Sequence, residues 1–539
     1  MKEIRNIVIG AILMVCGFTS CGDFLEEYSQ DTDYVRSWKD LDELLIGDCY
    51  WPVADTKQFY MQSNLGMFIH LLADEVEENN CSFMEYGSPH SKFDDHQRLF
   101  GYLTWQQRSG QNETYSGYYP ENAFWKQVYQ KINIANNVLY SLEKVPVGSD
   151  ADREGVARVE GEARFLRAYY YWLLVNLYGQ PYAPATAATE QGVPLKTTPE
   201  VEDVKFGRNT VAEVYDLIES DLLAADEVFD RVTKVKKSIY RADQTAVRLL
   251  LSRVYLYMQQ WQKAADYAQQ VINSHAQLQD LRTNAAAMML KGNVENIFSM
   301  GGDDLPVMLD YGFQGLRVSK SQYDTYASND LRRQQWLWKS GSFQGLTLRE
   351  NGLEYLDMNP MPKATEERYY FHVYTYALEG RESPVSSLFW LRSAEAYLNL
   401  AEAQACQHQD ANARTTLNIL RRVRFANTGK WEVDTSGNEL IQEIRQERRR
   451  ELVLQGHRWF DLRRYRVCEV LPEKTSISHT YTYYEDRGTA VPLETRQFVL
   501  TEDDPSWTQP IPQEVLDFNT GMEGNRNPSR DYIIVETPE

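Results

Sequence analysis

Residues 153–178 constrain the fold more than any other part of the chain, because the helix that they predict is apolar on nearly every side. Apolar residues cover almost its whole surface between Ala163 and Leu177. A helix that is hydrophobic all round is buried inside a larger protein. Gly179 and Pro181 follow and end it. The sequence therefore predicts a helical body with the helix Arg153–Tyr178 at its centre.

Further helical stretches lie on both sides of this helix, and one pair has a recognisable repeat. Apolar residues recur at helical spacing in residues 123–142, 210–229, 243–274, 391–425 and 438–465. Small and large residues follow the tetratricopeptide spacing at Leu251, Ser252, Tyr255, Trp261, Ala264, Ala268 and Val271. Ala276 stands where a proline usually closes the repeat. We predict an all-α fold with tetratricopeptide-like helical hairpins at about 123–275 and 388–425; an ordinary two-helix hairpin is the alternative.

Two long, turn-rich tracts interrupt the helices, at about 80–120 and 301–387. Loops of such length are uncommon unless they are functional or disordered, and their Trp and Tyr content argues against disorder. The chain contains 35 Tyr and 12 Trp residues, many of them outside predicted helices. Planar, hydroxyl-rich ligands bind to such side chains. We therefore expect these irregular loops to carry a ligand site.

The N-terminus reads as a bacterial lipoprotein leader. Lys2 and Arg5 precede an apolar core at 7–18, and small residues lead to Cys21. This core is too short to span a bilayer permanently, so Cys21 is the predicted site of lipidation; an ordinary secretory peptide is the alternative. The predicted organisation is a signal peptide at 1–20, a lipidated tether at 21–39 and a helical body at 40–539.

Composition and motifs exclude several function classes. The chain has 77 acidic and 56 basic residues, which argues against a nucleic-acid partner. No GxSxG, HExxH or phosphate-binding glycine loop occurs. The eight histidines show no metal-ligand spacing. We predict no enzyme activity, no metal and no cofactor, with a hydrolase on a helical scaffold as an alternative.

Two points stay open at this level. Calcium binding at Asp94-Asp95 or at Asp503-Asp504 is one of them. The other is the pairing of the cysteines that follow Cys21, which are scattered and show neither a disulfide framework nor a zinc motif. These cysteines are Cys49, Cys81, Cys406 and Cys468.

An arginine lies in an apolar row of the helix predicted near 438–455. Arg448 shares this row with Ile441, Ile444 and Leu452. A buried arginine needs a carboxylate partner, so we predict a structural ion-pair network here and also for Arg164 and Arg167, with ligand binding as the alternative. The candidate carboxylates are Glu447, Glu451, Asp461 and Glu162.

Read in order, these segments resemble the SusD-like (RagB/SusD) outer-membrane lipoproteins of Bacteroidetes. The resemblance covers essentially the whole mature chain. Ser29 and Gln455 depart from the family pattern, where proline and glutamate are usual. The segments that carry it are Cys21 with Phe24-Leu25-Glu26, Trp125 to Asn136, Gly161 to Tyr170, Gly192 to Leu195, the repeat hairpin, Leu391 to Tyr397, Glu447 to Arg464, and Ile511-Pro512 with Asn527-Pro528.

The resemblance implies a non-catalytic binding protein on the cell exterior, anchored to the outer membrane by its N-terminal lipid. In this family a helical body covers a SusC-like TonB-dependent transporter, captures a glycan and delivers it to the barrel. Some relatives serve peptides instead. A peptide-binding member and a tetratricopeptide envelope scaffold without a small-molecule ligand are therefore the alternatives.

Family members hold ligand with loops from the two turn-rich tracts, although no motif fixes the individual residues. Rings in these tracts are therefore the candidates for stacking on a sugar face. The alternative is that each ring packs its own loop. The predicted ligand-binding residues are Trp105, Trp336, Trp338, Tyr311 and Tyr323.

Overall fold

Helices form most of the regular structure in this computed structural model. It describes residues 35–51, 66–78, 97–200, 202, 204–233, 238–285, 288–301, 316–340, 343–346, 385–484, 492–525 and 527–536. The predicted signal peptide, its acceptor Cys21 and the ligand candidate Tyr311 lie outside these residues. None of the helices in the described part combines the length and apolar character that a membrane crossing requires.

The helices confirm the predicted helical scaffold. Residues 123–142 form one helix as predicted, and residues 243–274 form two. The helices are α1 (Trp38–Leu44), α2 (Ala123–Leu142), α3 (Asp150–Tyr178), α4 (Val211–Phe229), α5 (Gln244–Tyr257), α6 (Trp261–Ser274), α7 (Lys320–Tyr323), α8 (Arg332–Gln335), α9 (Ser393–Cys406), α10 (Asp410–Arg422), α11 (Gly437–Glu451), α12 (Arg458–Arg466) and α13 (Gln513–Phe518).

The central helix α3 is set by its cap and its burial. It begins before the predicted Arg153 because Ser149 caps it, accepting a hydrogen bond from the backbone N–H of Asp152 in a capping box. It ends at Gly179, as predicted. Every residue from Phe165 to Tyr178 is buried, which agrees with a helix that is apolar all round.

Small residues let the other helices approach closely, as the repeat spacing predicts. A Cβ atom on Gly161 of α3 would lie 2.7 Å from the ring of Phe229 at the end of α4. Between α5 and α6, the hydroxyl of Ser252 donates a hydrogen bond to the carbonyl of Ala264 at 3.0 Å. Helix α9 packs against α6, and α10 and α11 pack against α9. The hairpins therefore form one continuous stack.

Short antiparallel strands connect the loop tracts to this stack. The pair β1–β3 joins the segment just before the first turn-rich tract to a segment within the second, and β7, β8 and β9 form a three-stranded sheet in that order. The sequence patterns did not predict this sheet. The strands are β1 (Val76–Glu78), β2 (Asn296–Ser299), β3 (Leu316–Val318), β4 (Leu337–Ser340), β5 (Phe343–Leu346), β6 (Trp390–Arg392), β7 (Ile477–Tyr484), β8 (Pro492–Leu500) and β9 (Tyr532–Glu536).

Candidate ligand-binding site

The first turn-rich tract contains a small hairpin at residues 110–119. The backbone N–H of Tyr119 donates to the carbonyl of Gly110 at 2.7 Å, and that of Asn112 donates to the carbonyl of Gly117 at 3.1 Å. The side-chain oxygen of Asn112 accepts from the backbone N–H of Ser116 at 3.0 Å, as asparagine does in turns. A Cβ atom on Gly110 would lie 2.2 Å from the carbonyl oxygen of Tyr119, so only glycine allows this approach.

Tyr115 at the tip of the 110–119 hairpin has a strained backbone and an exposed ring. Its φ angle is +55°, a conformation that is uncommon for a bulky residue and that the buried Trp105 also adopts, with a φ of +49°. The side chain of Tyr115 is nevertheless 45% exposed. Its ring meets Phe100 edge to face, with the centroids 5.6 Å apart. The fold therefore holds an aromatic ring at the surface in a conformation that its packing alone does not explain.

Three residues of the C-terminal sheet lie beside Tyr115. The guanidinium of Arg496 on β8 lies 3.9 Å from the ring centroid of Tyr483 and 4.2 Å from that of Tyr532. Arg496 and Tyr532 also interact electrostatically with Tyr115, and so does Tyr483. We call Tyr115, Tyr483, Arg496 and Tyr532 the Tyr115 patch.

The register of the sheet explains how the patch assembles. Glu494 on β8 faces Tyr483 on β7, and Phe498 on β8 faces Tyr532 on β9. Arg496 lies midway between these two β8 residues, so its side chain points to the same face of the sheet as theirs. Facing aromatic and charged pairs of this kind stabilise neighbouring strands. The paired strands thus form the base on which Tyr115 of the loop lies.

The Tyr115 patch has no excess charge, which favours an uncharged ligand. Arg496 forms an ion pair with Glu494, so the positive charge is already balanced. Burial, the largest cause, raises the pKa of both Tyr115 and Tyr483 above the usual tyrosine value. The hydroxyl of Tyr115 therefore stays protonated at neutral pH and can both donate and accept hydrogen bonds, whereas the hydroxyl of Tyr483 is buried. Flat apolar faces with polar edges are what a sugar ring requires.

A second exposed ring lies on the same hairpin. Tyr118 packs over Arg108, with the guanidinium 3.8 Å from the ring centroid. Arg108 forms an ion pair with the buried carboxylate of Glu121 at 2.8 Å. The hairpin therefore presents Tyr115 and Tyr118 to solvent. Each tyrosine interacts with an arginine that forms an ion pair with a glutamate.

Trp105, the first predicted ligand residue, lies inside this tract but points inward. Its ring is 2% exposed and stacks on His479, with the centroids 4.5 Å apart. The indole N–H donates to the carbonyl of Leu72 at 3.0 Å. In this conformation Trp105 packs its own loop against β7, and its predicted role in ligand binding stays a prediction.

The predicted residues of the second tract occupy a different environment. Trp336 is 2% exposed, and its ring lies among arginines, with the guanidinium of Arg424 5.4 Å from its centroid. Tyr323 is also buried, beneath Arg333. Trp338 lies on β4 opposite Gly345, and its side chain is outside the described part. Trp105 and Trp336 are therefore buried against different partners and do not form a common surface in the described part.

The arginines around Trp336 belong to a buried ion-pair cluster. Glu451 binds Arg332 at 2.7 Å, Arg392 at 2.6 Å and Arg424 at 2.8 Å. Glu295 binds Arg392 and Arg424 as well. We call Glu295, Arg332, Arg392, Arg424 and Glu451 the Glu451 cluster. Its members are fully desolvated and satisfy one another, which indicates a structural role.

The predicted structural arginines are confirmed. Arg448 donates to Asp461 at 2.8 Å and to Asn399 at 2.7 Å. Arg167 forms two hydrogen bonds of 2.7 Å with Asp221. Arg164 pairs with Glu160 at 2.9 Å and with Asp221 at 3.4 Å. All three arginines stabilise contacts between helices.

Of the two acidic pairs considered for calcium, the structure describes only Asp503-Asp504, and both of these carboxylates form ion pairs. Asp503 pairs with Lys474 at 2.6 Å, and Asp504 pairs with Arg530. Asp94-Asp95 lies outside the described residues. Within the described part, no three metal-ligating side chains gather as a metal ion would require.

Sequence reasoning missed Tyr483, Arg496 and Tyr532 as companions of Tyr115. A usable signal was present in residues 477–484, where Tyr481 and Tyr483 alternate with threonine in the period of a strand. The pairing of this strand with residues far along the chain could not be read from one sequence.

Comparisons with known proteins agree with this architecture. Residues 52–256 match a SusD-like family model described as starch-binding and associating with the outer membrane, and residues 313–529 match the model of the SusD family. SusD-like protein P2 of Formosa agariphila is 28% identical over 386 residues, which cover 64% of this chain and 72% of that protein.

Solved structures show the same fold. A SusD-like carbohydrate binding protein from Bacteroides vulgatus aligns with a TM-score of 0.62 at 19% identity, over 90% of this chain and 97% of that one. The surface glycan-binding protein A from Bacteroides uniformis aligns with a TM-score of 0.59 at 18% identity, over 90% of this chain and 99% of that one. At such low identity these likenesses establish the fold alone.

Proposed function

The chain belongs to the SusD (RagB/SusD) family, and from this we propose that it is a surface-exposed lipoprotein that captures an oligo- or polysaccharide and delivers it to a SusC-like TonB-dependent transporter. The family is associated with the outer membrane at the cell surface. Its structural relatives include proteins named for carbohydrate and glycan binding. We further propose that the protein has no catalytic activity of its own.

The Tyr115 patch is the observation that supports glycan capture. The exposed ring of Tyr115 lies on a loop that is closed by hydrogen bonds. Beside it, Arg496 stacks between Tyr483 and Tyr532 on the C-terminal sheet. A preformed aromatic surface avoids the entropy cost of ordering side chains on binding. We propose that a sugar face stacks on Tyr115 and that neighbouring hydroxyls bind the sugar edge.

Affinity electrophoresis tests this proposal on native gels that contain neutral glucans, xylan, mannan or pectin. We expect at least one polysaccharide to retard the protein, and Tyr115→Ala to bind it about tenfold more weakly, since stacking on one ring contributes roughly 1–3 kcal/mol. Tyr140→Ala is the matched control, because Tyr140 on α2 is also 45% exposed and also carries a cation, Lys144, over its ring.

Other outcomes would favour the alternatives. Retardation by peptides and by no polysaccharide would support a peptide-binding member of the family. Release of reducing ends from a polysaccharide would show a hydrolase. Equal retention of Tyr115→Ala, Tyr140→Ala and the unchanged protein would remove Tyr115 from the proposed site.

Anchoring and partner are separate parts of the proposal. Cys21→Ala should release the folded protein into the aqueous phase on detergent partitioning, because stable attachment of such a body needs its acyl chains. Gentle detergent extraction should co-purify a large TonB-dependent barrel, since a lasting lid would bury roughly 2,000 Å² or more. Recovery as a monomer from several detergents would support the scaffold alternative.

A further inference from the structure

Two buried cysteines from separate parts of the chain meet at the end of the helical stack. Cys406 is the last residue of α9, and Cys468 follows α12. Both side chains are buried as free thiols, and each thiol is among the groups that shift the pKa of the other, which places the two close together. Cys49, the other described cysteine, is buried elsewhere, where its thiol donates to the carbonyl of Lys131.

The helices that carry the two thiols are held together one turn earlier. Glu402 of α9 receives two hydrogen bonds of 2.7 Å from Arg464 of α12. Arg448 of α11 also donates to Asn399 of α9 and to Asp461 of α12, which lie about one turn before Glu402 and Arg464. A bidentate carboxylate–guanidinium pair fixes both distance and orientation. The two helices therefore run side by side in the same direction, and Cys406 and Cys468 each come four positions after the Glu402–Arg464 pair.

The segment around Cys468 is also fixed from two other sides. The side-chain amide of Gln259 donates to the carbonyl of Val467 at 2.9 Å, and its oxygen accepts from the backbone N–H of Glu469 at 2.8 Å. Arg445 donates to the carbonyl of Leu471 at 2.9 Å. The backbone on each side of Cys468 is therefore held in place.

The two thiols differ in acidity. The neighbouring Cys406 thiol, together with Arg445, lowers the pKa of Cys468 to about 6, and burial opposes this. The same thiol–thiol contact, aided by burial, raises the pKa of Cys406. These opposite shifts arise only in the folded protein, where each thiol acts on the other.

We propose that Cys406 and Cys468 form a disulfide bond in the mature protein outside the cytoplasm. Proteins at the cell surface meet oxidising conditions, in which paired thiols form and keep disulfides. The bond would join α9 of the repeat hairpins to the segment after α12, and it would link the helical stack covalently to the chain that leads into β7.

The oxidant is a disulfide of a small thiol or of an oxidoreductase. The Cys468 thiolate attacks one sulfur of that disulfide, and the other sulfur leaves as a thiolate. Cys406 then loses its proton and attacks the Cys468 sulfur of the mixed disulfide, which releases the second thiolate. The two cysteines lose two protons and two electrons in total, and the oxidant disulfide becomes two thiols. Since both sulfurs are buried in the folded protein, this exchange takes place during folding.

Peptide mapping of the full-length protein tests the proposal without any variant. Cells are treated with N-ethylmaleimide at lysis, and the membrane-extracted protein is denatured, digested and analysed by mass spectrometry with and without reductant. We expect a cross-linked pair of peptides that contain Cys406 and Cys468 and that separate after reduction. Alkylation of both cysteines in the unreduced protein, or linkage of either one to Cys81 or to another chain, would overturn the proposal.

Stability gives an independent readout. Closing a loop of about 60 residues should raise the thermal midpoint by roughly 3–6 °C, so reductant should lower it by that amount. Reductant should not affect Cys406→Ala or Cys468→Ala, whereas it should still act on Cys49→Ala, the matched control. An unchanged midpoint for the reduced natural protein would also count against the bond. Glycan retention does not enter either test.

Discussion

The Glu451 cluster and the Tyr115 patch both combine arginines with aromatic rings, but the ring is enclosed in the cluster and exposed in the patch. In the cluster, Trp336 is enclosed by guanidiniums whose charges are satisfied by Glu295 and Glu451. In the patch, Arg496 is stacked between tyrosines while Tyr115 remains exposed on a strained backbone. An aromatic residue in a loop is therefore not by itself a ligand contact. Exposure in a fixed conformation distinguishes the two regions.

Removing the central carboxylate of the cluster should have the largest effect. Glu451→Ala leaves three buried guanidiniums short of a partner, and breaking a buried pair in this way costs about 3–5 kcal/mol. Denaturant unfolding monitored by circular dichroism measures this loss. Lys430→Ala is the control, because Lys430 pairs with Asp434 on the surface and its loss should change stability by less than about 1 kcal/mol. Equal effects would mean that the cluster contributes nothing special.

The two buried tryptophans give the next test. Trp105→Ala and Trp336→Ala should each lower the free energy of unfolding by about 3–5 kcal/mol, since each removes a large buried ring. Thermal unfolding and polysaccharide retention are measured on the same samples. A variant that keeps its thermal midpoint and loses retention would show a direct ligand contact, and it would break the distinction between packed and binding rings.

Acid should weaken the cluster. Burial disfavours the Glu451 carboxylate, but Arg424, Arg392 and Arg332 outweigh burial and lower its pKa to about 2, from an ordinary value near 4.5. A lowered folded pKa gives stability that is present above pH 4.5 and is lost as the pH falls towards 2, up to about 3 kcal/mol. Unfolding curves at pH 6, 4 and 3 measure this loss. Stability that stays constant across this range would refute the charged state of Glu451.

The smallest effect on stability should come from the tip of the hairpin. Tyr115→Gly removes the ring but also relieves the positive φ angle, a strain of about 1–2 kcal/mol, so the folded protein should lose little or no stability. Retention by a bound polysaccharide should still fall about tenfold. Comparison with Tyr115→Ala separates strain from stacking, because alanine keeps the strain. A large drop in the thermal midpoint of Tyr115→Gly would show that the ring is needed for packing.

Local patterns predicted the helices well. The apolar repeat placed α2 and the end of α3 at Gly179, and the small residues of the α5–α6 hairpin predicted its close packing. These features depend on residues that are near one another in sequence. The start of α3 was predicted three residues too late, because the cap at Ser149 lies in a polar stretch without apolar periodicity.

The candidate site was harder to predict for a physical reason. The first tract was recognised as aromatic, and Tyr115 was among its rings, but exposure depends on partners far along the chain. His479 covers Trp105, and Arg496 and Tyr532 flank Tyr115. Trp105 was predicted as a ligand contact because it lies in a turn-rich tract, but a ring of its size also fills a core well.

The Glu451 cluster also bears on when the protein can fold. Arg392 meets Glu295 across 97 residues of sequence, Arg424 meets Glu295 across 129, and the backbone N–H of Leu454 reaches Glu75 across 379. Contacts between distant residues form slowly because long loops must close first. A chain that is still emerging cannot complete this centre, so we expect its native packing only after most of the sequence has been synthesised. Pulsed hydrogen exchange during refolding should show the amide of Leu454 among the last to gain protection.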